Sequence, residues 1–159
     1  MVNNQLFVAY YKSPIGWIEI KSNGNEIIAM EFVSKKRSAG KVHPSLLPAL
    51  RQLHQYFIGK RKHFFLKLNF QGTPFQQAVW KNLQKIKFAH TASYQNIASL
   101  AGRQKAARAA GTAVGKNRIT IVIPCHRVIA SSGGIAGYAG GVWRKRWLLK
   151  HESSLIKNR

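Results

Sequence analysis

Apolar positions recur with a period of two over the first part of the chain and with a period near 3.6 over much of the rest. Leu6–Tyr11 is a short apolar run, and Trp17, Glu19 and Lys21 then alternate with Ile18 and Ile20, as in a half-buried strand. Ser22-Asn23-Gly24-Asn25 carries Asn-Gly, a strong hairpin signal, before a returning run at Ile27–Val33. Ser34–Lys41 reads as a basic, polar loop. Leu47, Leu50, His54 and Phe57 then fall at helical spacing, with Gly59 placed to cap the C-terminus. His63–Phe70 predicts a further strand.

Gly72-Thr73-Pro74 begins a different pattern. Thr73 can cap a helix, Pro74 suits its first position, and Gln76 completes a capping box. Phe75, Val79, Leu83 and Ile86 share one face of that helix, which places a domain boundary near Gln71, with domains 1–70 and 71–159. Ser93 can cap a second helix whose Tyr94, Ile97, Ala98 and Ala101 lie together. Gly102-Arg103-Gln104 is a tight turn, and Lys105–Val114 predicts a third helix, so the pair reads as helix-turn-helix. Ala106, Ala109, Ala110, Ala113 and Val114 form its packing stripe. Its other face holds Arg108, Gly111, Thr112 and Gly115. That bare face fits close approach to a narrow groove, with Arg108 projecting alone, or equally a second helix packed against it. Ile119–Ile123 reads as a buried strand, and Val142–His151 as a helix with Trp143, Trp147, Leu148 and Leu149 on its apolar side. The fold class is α+β: a small sheet with a helix, then a mainly helical domain.

Charge changes the picture. Twenty-six Lys and Arg stand against four acids in 159 residues, a net +22. The acids are Glu19, Glu26, Glu31 and Glu152, so no carboxylate side chain occurs from Phe32 to His151. Such a chain fits a polyanion, and nucleic acid is favoured over an anionic membrane surface. No apolar run approaches the ~18 residues of a membrane span. No basic region precedes an apolar stretch at the N-terminus, so a cytoplasmic, DNA-associated protein is expected. One cysteine allows no intramolecular disulfide and no multi-cysteine zinc site.

That cysteine carries the candidate chemistry. Cys125 follows Pro124 at the end of the apolar run, and its neighbours His126 and Arg127 could each stabilise a thiolate. Glu152 lies four residues from Leu148 and three from Leu149, which turns it inward. A buried carboxylate needs a hydrogen-bonded partner. It could orient His126 in a Cys–His–Glu relay, or form a structural pair with an arginine; spacing alone leaves both open.

Pro124-Cys125-His126-Arg127-Val128, followed by Gly137-Tyr138-x-Gly140-Gly141 and Trp147-Leu148-Leu149-x-x-Glu152, resembles the O6-alkylguanine-DNA alkyltransferase family, the methylated-DNA–protein-cysteine methyltransferases. Gly72-Thr73-Pro74-Phe75-Gln76, Val79-Trp80, Ser93-Tyr94-x-x-Ile97-Ala98 and Ala106-Ala107-Arg108-Ala109 extend the likeness from about Gly59 to Glu152. The resemblance implies a ribonuclease-H-like N-terminal domain and a winged-helix-like, helix-turn-helix alkyltransferase domain. Cys125 would accept the alkyl group of O6-alkylguanine in double-stranded DNA, in a single turnover. His126, through a water and held by Glu152, would take its proton. Asn117 would brace the loop, and Tyr94 would donate to the flipped base. Backbone at Cys125 and Val128, with Tyr138 and Ala139, would hold that base. Arg108 would fill the gap in the duplex, with Arg103, Lys105, Ala107, Gly111, Thr112 and Gly115 along the DNA. The protein would act as a monomer, without cofactor or metal. His43, His54, His63 and His90 are read as surface or core residues rather than ligands.

Two departures matter. Arg118 follows Asn117 where the family often has proline, and Lys87-Phe88-Ala89-His90 replaces a common Pro-aromatic-Gly segment. The rival reading, a non-catalytic sensor of alkylated DNA, would replace the cysteine that this chain keeps.

Overall fold

The computed structural model describes residues 5–37 and 40–157. Positions 38 and 39 of the expected Ser34–Lys41 loop, the four residues at the N-terminus and the last two at the C-terminus lie outside them. The chain divides into two compact units at Phe70/Gln71.

The first unit is an antiparallel meander of β1 (Phe7–Ser13), β2 (Gly16–Ser22) and β3 (Ile27–Val33), in the order β1-β2-β3. Ile18 and Ile20 are fully buried while Trp17, Glu19 and Lys21 are only half-buried, so the period of two marks the core face. The Asn23 side chain accepts from the N–H groups of Asn25 and Glu26 and closes the turn around Gly24 (φ 98°). Helix α1 (Leu47–Phe57) follows a single 3-10 turn at Pro44–Leu46. It ends in a Schellman motif, Gly59 N–H to Tyr56 O and Lys60 N–H to Gln55 O.

The buried face of α1 differs from the expected one. Leu46, Ala49, Leu53 and Tyr56 are fully buried, whereas Leu47 and His54 are exposed. Two overlapping series run along this helix, both at helical spacing, and packing selects the one that buries Leu53 and Tyr56. Phe57 is buried as expected. The predicted strand at His63–Phe70 is also absent. A single parallel bridge, Ile27 to Leu68, is formed. At Phe65 the Gln52 side-chain amide takes the place of a neighbouring strand, donating to Phe65 O and accepting from its N–H.

The second unit contains α2 (Pro74–Leu83), α3 (Tyr94–Leu100), α4 (Ala107–Gly115) and α5 (Val142–Lys157). Thr73 and Gln76 form the expected capping box of α2, and Ser93 forms another with Asn96 on α3. Trp80 of α2 donates its indole N–H to Ala113 O of α4 at 2.9 Å, which ties α2 beneath the α3–α4 pair. β4 (Ala92–Ser93) and β5 (Val128–Ile129) pair in parallel and stitch the start of α3 to the segment after Cys125.

Several expectations need correction here. Lys105 lies in the turn, so α4 begins at Ala107, and Ala109 is exposed rather than packed. α5 runs on past Glu152, which therefore sits inside the helix rather than closing it, and Trp143 is 56% exposed. Ile119–Ile123 is buried apart from half-buried Val122, yet it forms turns, with Ile121 at φ 72°. A β-branched residue in the left-handed region cannot continue a strand.

Ala89 also adopts a left-handed φ, 61°, in the segment that replaces the common Pro-aromatic-Gly. The steric cost is about 1–2 kcal/mol, against about 0.4–1 kcal/mol of added chain entropy for glycine in the unfolded state. Ala89→Gly is therefore expected to stabilise the protein by roughly 0.5–1 kcal/mol, read as a higher urea midpoint at unchanged slope.

Candidate active site

Local structure around Cys125 is set by Asn117. Its buried side chain accepts from Ile119 N–H at 2.9 Å and donates to Ile123 O at 2.8 Å, which clamps the strained turn containing Ile121. Arg118 is exposed beside it, and both bracing bonds are present without the proline. The chain then passes through Pro124 into one 3-10 turn, Cys125–Arg127, in which all three side chains are buried.

Glu152 joins this turn from α5. Its Oε1 lies 2.7 Å from His126 Nε2. Arg127 donates to the same carboxylate from Nε at 3.0 Å and from Nη2 at 2.9 Å. Ala89 N–H adds a bond of 3.1 Å to Oε2. Both partners considered from the sequence are thus engaged at once. Burial pushes the Glu152 carboxyl up, but the hydrogen bonds and charges of His126 and Arg127 outweigh it and hold the group well below the usual range. His126 is lowered, chiefly by burial and against the pull of Glu152, so its imidazole is neutral near pH 7. A carboxylate accepts, so Nε2 carries the proton and Nδ1 keeps its lone pair. That Nδ1 is buried and has no hydrogen-bond partner among the described residues.

Arg127 does not serve the thiol, as one expectation had it: beyond Glu152 it donates from Nη1 to Ile86 O at 2.7 Å and lies 5.7 Å from the Phe88 ring centroid. The cation that acts on Cys125 is Lys145, which the sequence reading missed. Burial raises the Cys125 thiol, while Asn117, Lys145 and Tyr138 pull it back only in part. Cys125 is therefore a thiol at rest. Lys145 is 1% exposed, and its ammonium donates to Ala136 O at 3.0 Å, Gly137 O at 3.3 Å and Tyr94 Oη at 3.4 Å. The signal was present in the sequence: Lys145, Leu148 and Glu152 are the three buried residues of α5, spaced by three and four.

Cys125 opens into a cavity of about 270 Å³ lined by Tyr94, Gly111, Val114, Gly115, Asn117, Cys125 and Ala136 to Ala139. Tyr94 donates to Ala136 O at 3.3 Å. Burial, then the nearby Cys125 sulfur, raise its phenol above the usual value, and the same causes raise Tyr138 well above it. Ala139 lines the cavity. Val128 does not; it is buried and paired with Ala92.

A shallow groove runs beside the cavity, lined by Tyr94, Gln95, Ala107, Arg108, Gly111, Thr112, Ala130 and Ser131. Tyr94 and Gly111 belong to both. Arg108, Thr112 and Gly115 are exposed on α4, while Ala110, Ala113 and Val114 pack inward. A Cβ at Gly115 would meet nothing within 4 Å, and one at Gly111 only the Tyr94 ring at 3.5 Å. Packing within this unit therefore leaves the outward face of α4 open. Arg103 and Lys105 are exposed in the turn before α4, with the Arg103 guanidinium 4.4 Å from the Phe75 ring centroid. The only acidic side chain of this unit, Glu152, is fully buried, so none faces solvent.

Residues 6–70 match the family described as 6-O-methylguanine DNA methyltransferase, ribonuclease-like domain, and residues 74–154 match its DNA binding domain. A methylated-DNA–protein-cysteine methyltransferase of Mycobacterium tuberculosis is 41% identical over 147 residues, 89% of each chain. One of Methanosarcina acetivorans is 38% identical over 156 residues, 94% of this chain and 99% of the other. The solved O6-methylguanine methyltransferase of M. tuberculosis is similar at a TM-score of 0.86 and 38% identity, covering 94% of both chains. The structure of the M. tuberculosis protein in complex with DNA is similar at 0.84 and 39%, covering 94% of this chain and 93% of the other.

The pKa directions fix a pH response. His126 is lowered from 6.5 and Glu152 from 4.5, so each adds stability above those values that is lost as pH falls below them. The urea midpoint is expected to decline from about pH 6.5 downward, and more steeply below about pH 4.5. Glu152→Gln should lose most of the steeper part, the rest coming from Glu19, whose burial is outweighed by Tyr10 and Lys21 so that its carboxyl is also lowered; a wild-type midpoint level down to about pH 4 contradicts the assignment.

Proposed function

The chain belongs to the 6-O-methylguanine DNA methyltransferase family, and we propose that it repairs duplex DNA by moving the alkyl group of O6-alkylguanine, chiefly methyl, onto its own Cys125 in one irreversible turnover. The observation that carries this reading is the single cysteine lining a cavity, followed directly in the chain by His126, whose buried Nδ1 has no hydrogen-bond partner among the described residues.

The chemistry follows from the charges. His126 Nδ1, through a bridging water, takes the Cys125 proton, and Glu152 stabilises the imidazolium that forms. Lys145 lowers the cost of the thiolate inside a buried site. The sulfur attacks the alkyl carbon from behind, so an S–C bond forms as the C–O6 bond breaks. Guanine is a poor leaving group as an anion. Tyr94, kept protonated by its raised pKa, donates to the departing base, and the Lys145 ammonium beside its oxygen stabilises the phenolate character that develops. Lys145 thus positions Tyr94 and screens both oxygen and sulfur. The thioether has no exit, so Cys125 is consumed.

A base stacked in a duplex cannot present O6 to Cys125, so it must turn out into the cavity. The open face of α4 supports close approach along a narrow minor groove, with Arg108 entering the space the base leaves. Arg103 and Lys105 are placed to meet phosphates, a contact that salt would weaken. The alternative, a non-catalytic sensor of alkylated DNA, has no use for a cysteine lining the cavity.

Cys125→Ala is expected to bind duplex DNA at wild-type affinity and to transfer nothing; transfer that persists would remove Cys125 as acceptor. Arg108→Ala should slow repair in duplex DNA by roughly ten-fold or more while reaction with free O6-benzylguanine stays within about two-fold. Equal losses on both substrates would leave Arg108 without a role in base extrusion.

A further inference from the structure

In the first unit one side chain stands out from the surface. Phe65 is 78% exposed, more than any other large apolar residue among those described. Its backbone is nonetheless fixed. The buried Gln52 amide donates to Phe65 O at 3.0 Å and accepts from Phe65 N–H at 2.8 Å.

Arg61 lies over the same ring, 6.0 Å from its centroid. It is held by Gln55 Oε1 and His63 O, each at 2.8 Å. Both acceptors are neutral, so neither cancels the guanidinium charge. Lys60, Lys62, His63 and Lys67 surround the ring in sequence. At the far end of the segment Asn69 donates to Glu26 at 2.8 Å.

An exposed aromatic ring on a fixed backbone, set among cations, is the arrangement that binds single-stranded nucleic acid: a base stacks on the ring and phosphates meet the positive groups. A protein partner would instead call for a broad apolar patch, and the neighbours of Phe65 are basic. We propose that Phe65 and Arg61 form a contact site for single-stranded nucleic acid on the first unit. A base stacks on Phe65, and the strand's phosphates meet Arg61 and the lysines around it. The site is independent of the chemistry at Cys125.

The test is fluorescence anisotropy of the full chain with a labelled oligothymidylate and with a blunt duplex of equal length. Phe65→Ala should weaken oligothymidylate binding about five-fold or more and duplex binding less than about two-fold, and Phe65→Trp should retain the single-strand affinity. Arg61→Gln should lower the slope of log affinity against log salt by about 0.7, one phosphate contact on a single strand. Phe65 is exposed, so an unchanged melting temperature is expected and checks that the variants fold. Wild-type affinity of Phe65→Ala for oligothymidylate, or an equal loss on both DNA forms, overturns the proposal. An unchanged salt slope in Arg61→Gln overturns the phosphate contact.

Discussion

The second unit depends on one buried negative charge. Glu152 has no exposure and no acidic neighbour, and its oxygens receive His126, Arg127 and the Ala89 N–H. These bonds join α5, the turn that carries Cys125 and the segment after α2. Arg127 extends the tie to Ile86. A buried carboxylate left without such partners would cost several kcal/mol, so the charge and its partners keep one another in place. The same bonds set the histidine tautomer. Position and reactivity at Cys125 therefore share one origin.

Much of this was legible in the sequence where local chemistry decides structure. The capping boxes at Thr73 and Ser93, the Asn-Gly turn and the Gly59 cap each place the required side chain at a fixed offset, and all are formed. Glu152 could be assigned to the buried side because helix periodicity reports facing. Whether it would meet His126 or an arginine there was left open by spacing, and both meet it. The strands expected at His63–Phe70 and Ile119–Ile123 failed for a different reason. Both runs are apolar, but at Phe65, and at Ile119 and Ile123, side-chain amides of Gln52 and Asn117 take backbone bonds that a strand neighbour would otherwise supply. Apolar content records burial; it does not record what bonds the backbone. Lys145 escaped notice because a lysine is rarely fully buried.

The charge has two parts with different physical standing. The site uses a few cations for specific work: Arg127 on Glu152 and Lys145 on Tyr94 and Cys125. The remaining surface of the second unit carries no acidic side chain, because its only one is buried. An outward helix face with almost no side chain, set in such a surface, lets a polyanion come close without meeting bulk or like charge.

The central claim is that Cys125 is an acceptor used once, and intact mass measures it most directly. The protein would be mixed with excess duplex DNA carrying one O6-methylguanine per molecule and weighed over time. The account predicts a gain of one methyl group per chain, located on Cys125, with demethylation of the DNA ceasing at one equivalent. Duplex binding without any gain in mass, or repair continuing past one equivalent, would contradict it.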